Sequence, residues 1–187
     1  MHWFPLVLIS AICLAGADAL TKKYLSDYHG LELVAVRFIV PALFLLPLVL
    51  LYPIPDAPLP FWGWCALLVP LELGAALLYM LAIRDSPLYL TLPYLAFTPV
   101  FIVLSGYLAL DEAVTWLGFT GILLVVLGSY ILNLNQATAG ARWRWLTPLR
   151  AITQERGSQY MLMAAAIYSI TSVLGKKAMA YVTPESF

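Results

Sequence analysis

The sequence predicts an all-α, polytopic membrane helix bundle with six transmembrane helices. Of its 187 residues, 63% are hydrophobic and only 11% are charged, whereas a soluble domain has roughly 45–50% apolar and about 25% charged residues. Long stretches also lack charge, among them 1–17, 38–55, 86–110, 113–141 and 157–175. About 18 apolar residues are enough for a helix to cross a bilayer, and an open backbone has no other way to satisfy its hydrogen bonds in lipid.

The six predicted spans follow from the apolar runs and the polar turns between them. Most connections are short, such as the turn Arg84-Asp85-Ser86-Pro87. The exception is the connection 136–157, which carries four arginines and one glutamate, with two tryptophans beside the first arginines. Arginine and tryptophan together are typical of the lipid headgroup layer, so we interpret this segment as an interfacial linker. The spans cover residues 3–21, 31–52, 60–83, 88–109, 113–133 and 159–178.

Several function classes are disfavoured by the residue inventory. Ten basic residues balance ten acidic ones, so there is no excess of positive charge to hold nucleic acid. Cys13 and Cys65 share no metal-ligand spacing, and neither histidine belongs to such a pattern. No phosphate-binding glycine loop and no nucleophile motif occurs. We therefore expect no enzyme activity, no metal and no cofactor.

Two segments of the chain repeat at an offset of 154 residues. Residues 20–23 read Leu-Thr-Lys-Lys, and residues 174–177 read Leu-Gly-Lys-Lys. The same offset pairs Asp18 with Ser172 on matching helical faces. Five spans fit inside one period, and an odd number makes the second copy enter the membrane from the opposite side. The pattern predicts part of an inverted five-plus-five repeat, a transporter architecture; chance similarity between two alanine-rich helices is the alternative.

The order of these features resembles the EamA-type repeat of the drug/metabolite transporter superfamily. The residues that carry the likeness are the lysine that ends span one, Arg37, Ala82–Pro87, Pro99-Val100-Phe101, Glu112, Gly121 and Gly128. The resemblance implies a ten-helix secondary transporter of amino acids, sugar phosphates, nucleotide sugars, purines or drugs. Its partners would be a small-molecule substrate and the lipid bilayer, and we expect it in the plasma (inner) membrane of a prokaryote.

The resemblance also implies how the chain is divided. Residues 1–135 correspond to the first repeat, 136–157 to the linker, and 158–187 to the first helix of a second repeat. We therefore expect the sequence to be a fragment, which a homodimer or the missing second repeat would complete. Glu72, near the middle of a span, has no counterpart in the general pattern of the family.

Glu72 is the first candidate for a substrate or proton site. It lies about 11–12 residues from either end of span three. A charge at that depth costs at least roughly 2.5–3.5 kcal/mol on insertion scales, so it needs a partner or a proton. Pro70 precedes it as a predicted helix break, and Tyr79 follows on the same face. The alternative is a protonated acid that only bonds a neighbouring helix.

Asp18 and Arg37 form a candidate charge pair. Both lie about 7–8 Å inside the same interface, counted at 1.5 Å per residue on consecutive helices. The sequence leaves open whether the pair lines a cavity mouth, is purely structural, or does not form because Arg37 snorkels to the interface.

Two prolines, Pro93 and Pro99, are predicted to break span four, with Tyr94 and Thr98 between them. Such breaks free backbone carbonyls at membrane depth, where transporters use them to bind substrate. We therefore predict Tyr94 and Thr98 as groups that orient substrate, together with Tyr79. Packing kinks without ligand contact are the alternative. For the whole protein the competing hypothesis is a non-transporting membrane assembly or scaffold protein.

Overall fold

A computed structural model describes residues 3–47, 57–111, 114–135 and 155–182. All regular structure within those ranges is helical, which confirms the predicted all-α class. We number its seven α-helices in chain order: α1 (Trp3–Tyr24), α2 (Gly30–Leu45), α3 (Leu59–Asp85), α4 (Leu88–Leu95), α5 (Thr98–Leu110), α6 (Trp116–Asn135) and α7 (Arg156–Ala178), followed by a 3₁₀ turn, Met179–Tyr181.

The helices follow the predicted spans, with one span divided in two. Among the described residues, three segments are long and apolar enough to cross a membrane, namely Phe4–Tyr24, Leu59–Asp85 and Leu88–Leu110, and Trp116–Ile131 is a shorter apolar helix. The described part of the second span ends at residue 47, and residues 136–154 of the predicted linker lie outside the described ranges.

Pro70 does not break its helix, so that prediction was wrong. α3 runs without interruption from Leu59 to Asp85. A single proline removes only one backbone donor, the one that would reach the carbonyl of Ala66. The remaining hydrogen bonds of a 27-residue helix continue on both sides, and membrane helices tolerate proline because neighbouring helices help to satisfy the freed groups.

The fourth span divides where its two prolines predicted. α4 ends at Leu95 and α5 begins at Thr98, with Pro99 in its first turn, a position that proline favours. Between them the amides of Ala96 and Phe97 each donate to the carbonyl three residues earlier, at 3.2 and 3.1 Å. The chain therefore passes the break in a tight turn that leaves few backbone groups unpaired.

α7 is the most deeply embedded helix of the described structure. It packs against α3, α4 and α5, while α1 and α2 pack against α3. Its inward face is built from small residues, which let neighbouring helices approach closely in a membrane. The core between α3, α4 and α7 contains Met80, Ile83, Tyr94, Met161 and Ala164, each exposed by 2% or less.

Candidate functional site

A polar cluster of Asp18, Arg37 and Tyr79 joins the first three helices. Each residue lies six or seven positions from the end of its helix on the same side of the bundle, so all three share a depth of about 9–11 Å. Asp18 is 4% exposed, the one buried residue between Phe4 and Tyr24. Arg37 Nη1 lies 3.5 Å from Asp18 Oδ1, and the Tyr79 hydroxyl donates to Asp18 Oδ2. The structure therefore brings the predicted charge pair together and adds Tyr79 to it.

Arg37 also packs on an aromatic ring. Its guanidinium carbon lies 5.0 Å from the centre of the Tyr79 ring, within the range of a cation–π contact. The register of α2 that places it there begins at His29, whose backbone N–H donates to Glu32 Oε2 at 2.8 Å and closes the first turn. With one oxygen facing Arg37 and the other bonded to Tyr79, the Asp18 carboxylate is satisfied inside the bundle.

Tyr168 of α7 connects this cluster to the site of Glu72. Its ring packs edge-on against Tyr79, with centroids 6.3 Å apart. Sequence reasoning missed Tyr168 because the 154-residue repeat pairs it with Leu14, which has no polar group. The available signal was its spacing, since Tyr168, Thr171 and Ser172 lie within one turn of helix.

Glu72 lines a groove between α3 and α7, which we call the Glu72 groove. Its volume is about 500 Å³, and its described lining is Leu68, Val69 and Glu72 of α3 with Tyr168, Thr171 and Ser172 of α7. Glu72 is half-buried. Over residues 3–47, 57–111, 114–135 and 155–182, no side chain forms an ion pair or hydrogen bond with its carboxylate. A ligand or a proton could therefore reach this acid from the groove.

Tyr94 and Thr98 lie apart from this lining. Tyr94 is 1% exposed within the core and stacks on Phe97, with centroids 6.4 Å apart. Thr98 Oγ1 donates to the carbonyl of Leu95 at 2.6 Å. That carbonyl is the one that Pro99 deprives of its backbone donor. In this conformation Thr98 therefore completes the helix break.

Ser129 of α6 adds a second donor to the carbonyl of Pro93 on the other side of the break. It is 4% exposed, and its hydroxyl donates to the carbonyl of Pro93. The sequence analysis did not single it out. The signal that could have found it is a hydroxyl residue inside an apolar helix, opposite a span that contains two prolines.

Two hydrogen bonds link helix ends at one end of the bundle. Lys22 Nζ donates to the carbonyl of Arg84 at 2.8 Å, at the carboxyl end of α3, where a cation also complements the helix dipole. Ser86 Oγ donates to Glu155 Oε1 at 2.8 Å. These contacts connect the ends of α1 and α3 and the start of α7 on this side of the described structure.

The EamA-like transporter family matches residues 1–134, which include α1 to α5 and nearly all of α6. The chain belongs to the EamA-like transporter family. It is accordingly a multi-pass membrane protein of transporter type. Comparison with curated proteins and with solved structures gives no match.

The matched region contributes only half of the Glu72 groove. Leu68, Val69 and Glu72 lie inside residues 1–134, whereas Tyr168, Thr171 and Ser172 lie beyond them, on α7. The whole Asp18–Arg37–Tyr79 cluster, by contrast, belongs to the matched EamA-like region.

Proposed function

We propose that this protein is a secondary transporter of small metabolites or drugs that works by alternating access, with the Glu72 groove as its substrate or proton site. The observation that carries the proposal is an acid near the middle of a 27-residue apolar helix, facing a cavity of about 500 Å³. Within the described ranges that acid has no charged partner. Such a group is costly in a membrane and by default marks an ion or substrate pathway.

The two acids at membrane depth have different roles in this proposal. Asp18 is paired with Arg37 and accepts a hydrogen bond from Tyr79, so it fastens α1 to α2 and α3. Glu72 has neither kind of contact in the described structure. Tyr79 and Tyr168 lie between the two sites, and their ring contact would carry a change at one site to the other.

Alternating access needs parts that move against one another. In inverted-repeat transporters one repeat rocks against the other around a central site. The Glu72 groove lies between α3 and α7, the two helices that would belong to different repeats. Lys22 and Ser86 make hydrogen bonds between helix ends on one side of the bundle. In the proposed cycle these contacts hold that side closed, and they open when the opposite side closes.

The test of this proposal is uptake into liposomes with an imposed pH gradient. Compounds would be drawn from the amino acids, sugar phosphates, nucleotide sugars, purines and drugs that the family resemblance suggests. If Glu72 carries the coupled proton, Glu72→Gln should abolish proton-driven accumulation while exchange of substrate down its own gradient survives. Glu72→Asp should keep coupling but change the pH optimum. Asp27→Asn, which neutralises an exposed acid in the turn between α1 and α2, is the control and should behave as wild type.

Two results would count against the proposal. Equal rates and equal pH dependence in wild type and Glu72→Gln, at matched protein density, would remove Glu72 from the mechanism. No flux of any compound in the wild-type protein would favour the non-transporting scaffold.

A further inference from the structure

We propose that the Glu72 groove binds amphipathic organic cations, with a positively charged amine or onium group at the Glu72 carboxylate and an apolar body against Leu68, Val69 and the Tyr168 ring. This inference rests on the proposed transport function for its biological meaning. It concerns only which chemical class the groove accepts.

The Glu72 carboxylate has no cationic partner among the described residues. Arg37 is already committed to Asp18 at 3.5 Å and to the Tyr79 ring. Lys177 packs over Trp64, with Nζ 5.9 Å from the ring centre. Trp64 precedes Glu72 by eight residues, or about 12 Å along the helix. Over residues 3–47, 57–111, 114–135 and 155–182, no lysine, arginine or histidine forms an ion pair with Glu72, so a cationic ligand in the groove would supply its counter-charge.

The rest of the lining of the Glu72 groove is apolar and aromatic and suits the body of an organic cation. Leu68 and Val69 present hydrocarbon, and Tyr168 presents an aromatic ring, whose face attracts organic cations. The described lining contains no lysine, arginine or histidine that could hold a phosphate or carboxylate, and an anion would be repelled by Glu72. A neutral sugar would leave the acid without a counter-charge. This lining therefore favours an amine or another organic cation over an anion or a neutral sugar.

The volume of the Glu72 groove and the hydroxyl group of Thr171 also suit a small organic ligand. A volume of about 500 Å³ lies within the 300–1,000 Å³ typical of small-molecule pockets, which are mostly apolar with a few polar groups. Thr171 Oγ1 donates to the carbonyl of Tyr168 at 3.2 Å, so its lone pairs can accept a ligand N–H. A bare alkali ion needs a shell of oxygen ligands, and most of this lining is carbon.

The test uses two probes of the same shape and opposite charge. The full chain in lipid nanodiscs would be titrated with tetraphenylphosphonium and, separately, with tetraphenylborate, and bound probe measured by equilibrium dialysis against empty nanodiscs. We expect saturable binding of the cation alone. Glu72→Gln should weaken it at least tenfold, whereas Glu72→Asp and the control Asp27→Asn should retain it. Tyr168→Phe, which keeps the ring, should bind several-fold more tightly than Tyr168→Leu.

The wild-type comparison is decisive even if a variant fails to fold. Saturable binding of tetraphenylborate as strong as that of tetraphenylphosphonium would overturn the inference, as would equal cation binding by wild type and a folded Glu72→Gln. The outcomes also separate the two proposals. Proton-driven transport of a neutral compound without cation binding would refute the ligand class alone, and cation binding by a protein that transports nothing would refute the transport function alone.

Discussion

Asp18 is a buried acid whose two oxygens have different partners. Arg37 approaches Oδ1 from α2, and the Tyr79 hydroxyl donates to Oδ2 from α3. In lipid an unpaired carboxylate has no water to replace a lost contact. The side chains of Asp18, Arg37 and Tyr79 therefore act as one unit, and removing one leaves a charge that the others cannot satisfy.

Replacing Tyr79 with phenylalanine should therefore destabilise the protein. The ring and its packing on Tyr168 remain, but the donor to Asp18 is lost. We expect a loss of about 1–2 kcal/mol, the upper end for an interhelical hydrogen bond in a membrane, because the acceptor is charged. The measurement is reversible unfolding in mixed micelles of increasing SDS fraction.

Tyr107→Phe is the matched control, because Tyr107 is 60% exposed on α5 and should lose little. A double-mutant cycle of Tyr79→Phe with Asp18→Asn isolates the contact. A coupling energy of zero would show that the hydroxyl and the carboxylate do not interact in the membrane.

The first turn of α7 shows how closely two elements meet. A methyl group at Gly157 would overlap Cβ and Oγ of Ser86 and lie 3.0 Å from Thr91 Cγ2. Ser86 in turn donates to Glu155, the residue that precedes α7. α7 can therefore pack against the turn between α3 and α4 only because residue 157 is a glycine, which has no side chain.

Gly157→Ala should push α7 away from this turn. Overpacking of a tight contact typically costs about 1–3 kcal/mol, so we expect the free energy of unfolding to fall by that amount and the unfolding midpoint to fall with it. Gly175→Ala in the same helix is the control, because a methyl there meets nothing within 4 Å. Gly175→Ala should raise the free energy of unfolding by up to about 1 kcal/mol, because alanine favours a helix more than glycine does. Similar midpoints for the two variants would contradict the close packing at Ser86.

The outward face of α1 has no protein to cover it in the described structure. Nearly all of its residues are exposed, including Cys13 near its midpoint. Large apolar side chains dominate this face, with Leu6 68% and Ile12 65% exposed. In a multi-pass membrane protein such a face belongs against lipid or another apolar helix.

Native Cys13 should accordingly be shielded from water-soluble reagents. It lies ten residues from Trp3 and eleven from Tyr24, about 15 Å from either end of the helix. In opened membranes a charged maleimide should leave Cys13 unlabelled in a Cys65→Ala background. In a Cys13→Ala, Cys65→Ala background, Asp27→Cys should label readily, because that turn is exposed. Rapid labelling of Cys13 would mean that α1 borders an aqueous path.

The amino-acid sequence alone was enough to predict the fold class, the order of the apolar helices and the break in the fourth span. These depend on local chemistry, since apolar length, charge-free runs and proline act within one helix. The shared depth of Asp18 and Arg37 was also predictable, because it follows from the rise per residue of two consecutive helices. The charge of Glu72 was visible in the sequence for the same reason.

Which side chains share a site could be seen only once the helices were packed together. The tertiary structure joined Tyr79 to Asp18, set Tyr168 opposite Glu72, and gave Thr98 and Ser129 to the carbonyls around the proline break. It also carried α3 straight through Pro70. These outcomes depend on the rotation of each helix about its axis and on which neighbour it meets. A periodic apolar sequence leaves both open, because lipid and protein bury apolar faces equally well.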